Sequence, residues 1–63
     1  MNIKLKMKIN HIMSIVAGNT GTIPDLLLED KTFFDMLFKG INNKKDIIEI
    51  ANELSDYANN NLC

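Results

Sequence analysis

NIKLKMKIN, residues 2–10, alternates polar and apolar side chains without interruption. This period of two is typical of a β-strand with one face on a core and the other in solvent. The core-facing side chains would be Ile3, Leu5, Met7 and Ile9, and the outward ones Asn2, Lys4, Lys6, Lys8 and Asn10. Because a lone strand leaves its N–H and C=O groups unpaired, a mate is expected in this chain, in a second copy or in another protein.

The next segment, HIMSIVA at residues 11–17, fits two structures. Ile12, Ile15 and Val16 follow the i, i+3, i+4 spacing of a helix face. The same side chains are β-branched, which favours a second strand paired with the first. Both alternatives stay open, and GNTGT at residues 18–22 is expected to form a loop after either one.

Helix signals begin with TIPD at residues 22–25. A hydroxyl side chain suits the N-cap, proline suits the first turn, and an acid there meets the positive end of the helix dipole. Asp30 falls in the middle of the apolar face that follows, so one unbroken helix is not expected. Thr32 is instead predicted to cap a new helix over residues 33–39 that Gly40 ends.

A last helix is predicted from about residue 44 to residue 58, with Asn42 or Asn43 as its cap. Its apolar stripe consists of Ile47, Ile50, Ala51, Leu54 and Ala58. Residues 59–63 are expected to form a frayed tail. Together these elements predict a single α+β domain over residues 1–63, with one or two N-terminal antiparallel strands followed by two or three helices packed on one sheet face.

Composition excludes several classes of protein. A chain of 63 residues is short enough that stability must come from its core, a second copy or a partner. The single cysteine, Cys63, allows no internal disulfide, and with the single histidine, His11, it cannot complete a Cys/His metal cage. The apolar runs are far below the ~20 residues that span a bilayer, and no secretory signal pattern is present. We therefore expect a cytoplasmic protein without membrane contact, metal or cofactor.

Catalysis is not expected from the available side chains. A triad would have to pair His11 with Ser14 or Ser55, and nothing in the chain marks an oxyanion hole. The glycine-containing loop before Pro24 lacks both the lysine and the triple glycine of nucleotide-binding loops. The sequence therefore predicts a protein that is not an enzyme.

Charge is divided unevenly along the chain. Residues 1–24 contain three lysines and no acid, whereas the remaining residues contain four lysines and eight acids. The lysine-bearing strand face, Lys4, Lys6 and Lys8, is a candidate contact for an acidic partner or for nucleic acid, or is simply solvated. No arginine is present, which lowers the expectation of nucleic-acid recognition because the bidentate guanidinium fork is missing.

Two further surfaces are candidates for partner contact. Phe33, Phe34 and Phe38 lie in an apolar arc that is wider than a surface helix needs, so either the core or a partner must cover it. The acids of the last helix share one outer side and are Asp46, Glu49, Glu53 and Asp56. This acidic stripe would dock on a basic partner, pair with the strand lysines or remain in solvent.

Two functions are compatible with these features. The first is a small protein-binding module, such as an inhibitor, adaptor or accessory subunit, which needs no special motif. The abundance of Asn, Ile and Lys is typical of an AT-rich genome, such as that of a phage or a low-GC bacterium. The second is suggested by the order of strand and helices over residues 2 to about 39, which resembles ribbon-helix-helix DNA-binding proteins. That resemblance implies a homodimeric transcriptional regulator whose paired strands place Lys4, Lys6 and Lys8 in the major groove.

Overall fold

A computed structural model describes residues 2–62 as four α-helices. They are α1 (Ile3–Thr20), α2 (Pro24–Leu28), α3 (Lys31–Asn42) and α4 (Ile47–Asn61). No residue between 2 and 62 lies in a strand, so the predicted α+β class is wrong and the described chain is all-helical. The longest dimension is 30 Å, close to the ~27 Å length expected for α1 alone.

The predicted strand at residues 2–10 is instead the start of α1. Asn2 caps this helix, because its side-chain oxygen accepts a hydrogen bond from the backbone N–H of Lys4 at 2.8 Å. Lysine, leucine and methionine are good helix formers, and a helix pairs its backbone groups locally while a lone strand cannot. The alternation therefore distributes apolar side chains around the helix, and Ile3 and Met7, expected in the core, are 71% and 65% exposed.

The helical alternative for residues 11–17 is correct. α1 runs through this segment and continues to Thr20, beyond the start of the predicted loop. It ends at Gly21, which has a φ of 71° and donates its N–H to the carbonyl of Ala17 at 2.9 Å. A left-handed residue at this position favours glycine, which has no Cβ to clash.

All four helices contribute to one apolar core. Its fully buried members within residues 2–62 are Ile12, Met13, Val16, Leu27, Phe33, Leu37, Ile50, Ala51, Leu54 and Ala58. α1 and α4 share the most extensive helix–helix contact, and α3 packs mainly on α4. No residue of α1 before Ile12 is fully buried, and from the first half of this helix the partly buried Ile9 packs against the core.

The helix start near Pro24 and the break near Asp30 are confirmed, but their capping residues differ from the prediction. Pro24 is the first residue of α2, and the N-cap is Ile23, whose side chain makes no capping bond. The N-cap of α3 is Asp30 rather than Thr32, because its carboxylate accepts a hydrogen bond from the N–H of Phe33 at 2.9 Å. The acid that interrupts the apolar face is therefore the residue that starts the next helix.

Gly40 does not end α3, which continues to Asn42. It is buried inside the helix, and a Cβ at this position would lie 2.9 Å from Cγ1 of Ile50 on α4. The sequence prediction treated glycine as a terminator, whereas the structure uses its small size to bring two helices together. α3 and α4 therefore pack closely at this point.

The last helix exists as predicted, with shifted ends. α4 begins at Ile47, with Asp46 rather than an asparagine at the N-cap position. The apolar stripe is confirmed, since its members except the partly buried Ile47 are fully buried. The helix extends to Asn61, so three residues of the expected frayed tail are helical, and Cys63 lies outside the described residues.

Candidate functional site

The three lysines do not form one face. At about 100° per residue, Lys4 and Lys8 lie about 40° apart around α1, and Lys6 lies on another side of the helix. The prediction of a strand face that carries all three lysines is therefore wrong. The ribbon-helix-helix resemblance depended on that strand, which is not present in residues 2–62. Among residues 2–62, none of the three lysines makes an ion pair.

Ile3 and Met7 form an exposed apolar ridge on the first two turns of α1. They are one helical turn apart, and both side chains are mostly in solvent. Lys4 and Lys6 flank this ridge, each about 80° from its centre around the helix axis. We call these four residues the lysine-flanked ridge. It combines apolar area with positive charge on both sides.

The three phenylalanines are divided between the core and the surface. Phe33 is fully buried, whereas Phe34 is 41% exposed and Phe38 is half-buried. The rings of Phe34 and Phe38 contact each other, with centroids 4.8 Å apart and planes tilted by 41°. We call these two residues the aromatic pair.

The aromatic pair lies beside the core rather than in it. Phe33, Leu37 and Gly40 face inward on α3, and the pair is about 100° around the helix from them. Neither Phe34 nor Phe38 belongs to the core cluster or to the side chains packed against it. The predicted apolar interface is thus partly interior and partly an accessible aromatic surface.

The acidic residues of the last helix do share one outer side. Glu49, Glu53 and Asp56 project from α4 within about 60° of one another, and Asp46 precedes them at the N-cap position. Glu53 pairs with Lys45 at 3.2 Å, the one ion pair within residues 2–62. Such an exposed pair contributes about 0–1 kcal/mol. The other three acids are exposed to solvent.

A shallow groove of about 460 Å³ runs between α3 and α4. It is lined by Met36, Lys39, Gly40, Lys45, Glu53 and Asp56. Sequence reasoning assigned the two acids to a stripe of one sign and missed the lysines that face them across the groove. The groove is open and carries charges of both signs, which makes it a candidate contact surface.

Tyr57 and Asp30 connect α4 to the junction between α2 and α3. The hydroxyl of Tyr57 donates to Oδ1 of Asp30 at 2.9 Å, the same oxygen that accepts from the N–H of Phe33. The hydrogen bond to this carboxylate, with desolvation adding to it, raises the pKa of Tyr57 above its ordinary value of 10.0. Sequence reasoning missed this contact because its partners are far apart in the chain. It fixes the start of α3, from which the aromatic pair projects.

The side chains considered for a catalytic triad, His11, Ser14 and Ser55, lie on two helices. His11 and Ser14 are exposed on α1. Ser55 is buried, donates its hydroxyl to the carbonyl of Ala51 at 2.7 Å and accepts a hydrogen bond from the amide of Asn19 at 3.1 Å. Across residues 2–62, no three His, Cys, Asp or Glu side chains are grouped in a way that could hold a metal ion.

Comparisons with known proteins give no relative. No family model matches the chain, and neither a curated protein nor a solved structure is similar to it. Between residues 2 and 62, no helix has both the length and the apolar character needed to cross a membrane.

Proposed function

We propose that this protein is a small non-catalytic binding module that contacts another protein through the aromatic pair on α3. The observation that supports this proposal is the exposure of Phe34, whose ring contacts that of Phe38 outside the core. Exposed aromatic side chains are enriched at protein interfaces. Phe34 is 41% exposed, so a partner that buries the rest of this side chain gains about 0.6–1.2 kcal/mol, a corresponding share of the about 1.5–3 kcal/mol for a fully exposed one, and burial of Phe38 adds to it.

The helix that carries the aromatic pair is anchored on the core. Phe33 and Leu37, on the neighbouring side of α3, are fully buried and fix the helix on the core. Asp30 fixes the start of the helix through its bonds to Phe33 and Tyr57. Because the backbone of α3 is already ordered, little backbone freedom has to be lost on binding, and more of the burial energy contributes to affinity.

The partner surface is expected to be an apolar pocket with a polar rim. Lys31 and Asp35, both exposed, follow the aromatic pair around the outside of α3 and provide one charge of each sign. A partner that seats the rings in a pocket would meet these charges at its edge. We place this interaction in the cytoplasm, where the sequence features predict the protein to be.

Photo-crosslinking tests the proposal in cells that encode the protein. A photoreactive phenylalanine analogue replaces Phe34, and the matched control places it at Asn43, which is exposed between α3 and α4. We expect a specific protein to be crosslinked from position 34 and not from position 43. Equal products from both positions, or none from position 34, would contradict the proposal.

The partner identified by crosslinking is then purified without the crosslink, and its affinity for this protein is measured. The double variant F34A/F38A should weaken binding at least tenfold, because truncating an aromatic anchor at the centre of an interface costs upwards of about 2 kcal/mol. The control variant L26A removes another exposed apolar side chain, on α2, and should leave the affinity nearly unchanged. Comparable losses in the two variants would show that the aromatic pair is not the anchor.

A further inference from the structure

We propose that a second copy of this chain docks the outer side of its α4 on the lysine-flanked ridge of α1, so that the protein self-associates. The ridge is a surface separate from the aromatic pair, and the inference does not depend on the proposed function. The docking side of α4 comprises Glu49, Asp56 and the neighbouring Ile48. We call it the acidic face.

The ridge has the properties of an unfilled contact surface. Ile3 and Met7 are 71% and 65% exposed, the two highest values among the large apolar side chains exposed within residues 2–62. Lys4 and Lys6 beside them have no ion-pair partner in the described part of the chain. Residues 1–24 contain no acid, so an acidic partner for these lysines would have to come from another segment or another molecule.

The acidic face offers the matching chemistry. Glu49 and Asp56 are exposed and, in the part of the chain that is described, make no ion pair. Ile48 beside them is a large apolar side chain that is 53% exposed, on the side of α4 that faces away from the core. The ridge thus presents apolar side chains between cations, and the acidic face presents an apolar side chain beside anions.

The ridge and the acidic face do not satisfy each other within one molecule. The single ion pair within residues 2–62 joins Lys45 to Glu53 and involves none of the α1 lysines. Contact between two copies would pair the opposite charges and bury the exposed apolar side chains together. In a two-fold symmetric pair this contact would form twice, which doubles the area that it buries.

Other anionic occupants fit the ridge less well. The apolar ridge stops after Met7, because the next turns on that side carry Asn10 and Ser14, so it is only two turns long. Helices that lie in a membrane interface gather their apolar side chains on one face, whereas Leu5 and Ile9 lie on a different side of α1 from the ridge. For nucleic acid, the chain lacks arginine, and its α1 lysines do not share one side of the helix.

The test measures mass in solution by light scattering after size-exclusion chromatography, over a range of protein concentrations at low and high salt. We expect the mass to rise above the monomer value of 7.1 kDa with increasing concentration, and to rise less at high salt. A protein that stays at 7.1 kDa under all these conditions overturns the proposal.

Charge reversal identifies the surfaces. K4E/K6E and E49K/D56K should each be monomeric alone, and an equimolar mixture should associate again because the reversed charges are complementary. The control variant K31E/K44E reverses two exposed lysines elsewhere and should associate like the wild type. Circular dichroism would confirm that each variant remains helical. Association that survives K4E/K6E, or a mixture that stays monomeric, overturns the proposal.

A monomeric wild type would then be tested with vesicles of anionic phospholipid and with duplex DNA. Binding of either one that is lost in K4E/K6E would assign the ridge to that ligand instead of a second copy. This outcome would overturn the present proposal and leave the aromatic pair unaffected, because the two surfaces are on different helices.

Discussion

The two halves of α1 carry similar apolar side chains but differ in how they are covered. Ile12 and Val16 in the second half are fully buried, whereas Ile3 and Met7 in the first half are mostly exposed. Both halves belong to one continuous helix, so local backbone structure does not explain the difference. The comparison shows that burial depends on which surfaces the other helices reach. The apolar side chains that they do not reach remain available for a second molecule.

The largest expected effect comes from truncating one apolar residue in each half of α1. Ile12→Ala should lower the free energy of unfolding by about 2–5 kcal/mol, because it leaves a cavity in the core. Ile3→Ala should change it by less than about 0.5 kcal/mol, because the side chain is largely in solvent. Urea denaturation at a protein concentration where the wild type is monomeric measures both values. Similar losses for the two variants would contradict the division of α1 into a covered and an uncovered half.

Two helical glycines give the next largest contrast between covered and open positions. Gly40→Ala should cost about 1–3 kcal/mol, since the new Cβ would meet Ile50 at 2.9 Å. Gly18→Ala on the exposed side of α1 should stabilise by about 0.5–1 kcal/mol, because no atom lies within 4 Å of its Cβ position and alanine favours a helix. Thermal unfolding of both variants measures these shifts. A stabilising Gly40→Ala would show that α3 and α4 are less closely packed.

The smallest expected effect is a change in the pKa of Tyr57, whose bond to Asp30 attaches α4 to the start of α3. Tyr57 is the only tyrosine, so ultraviolet absorbance of tyrosinate follows its ionisation alone. We expect its midpoint above 10.0 in the wild type and closer to 10.0 in Asp30→Asn, which keeps a capping oxygen but removes the negative charge. Equal midpoints in the two proteins would show that the bond between Tyr57 and Asp30 does not form.

The same bond predicts a dependence of stability on alkaline pH. A tyrosine whose pKa is raised on folding contributes stability that is complete below its unfolded pKa of about 10 and is lost as pH rises through the folded pKa. The Tyr57→Phe variant removes this contribution. Its free energy of unfolding, measured by urea denaturation, should therefore fall less above pH ~10 than that of the wild type.

Helices α3 and α4 were predictable because their apolar residues follow a helical period. The stripe with Ile50 and Leu54 at its centre is buried, and the break at Asp30 is present. The first ten residues were not predictable in the same way. Their alternation fits a half-buried strand, but it also fits a helix whose apolar side chains point in several directions. Within residues 2–62 no second strand is present to pair with a strand at residues 2–10, and this favours the helix.

The sequence indicated which types of residue form the candidate surfaces, but not how those residues are arranged in space. Phe33 and Phe34 are neighbours in the sequence, yet one is in the core and the other is on the surface, because successive residues of a helix are about 100° apart. For the same reason, Lys6 lies on a different side of α1 from Lys4 and Lys8. The bond between Tyr57 and Asp30 depends on tertiary packing and left no signal in the local sequence.

Backbone chemical shifts measured by nuclear magnetic resonance test the division of α1 most directly, together with amide hydrogen exchange on the same sample. We expect helical Cα shifts without interruption from Ile3 to Thr20, with slower amide exchange at residues 12–20 than at residues 3–11. Extended-strand shifts over residues 2–10, with cross-strand contacts to any other segment, would contradict the helical first half and the lysine-flanked ridge built on it.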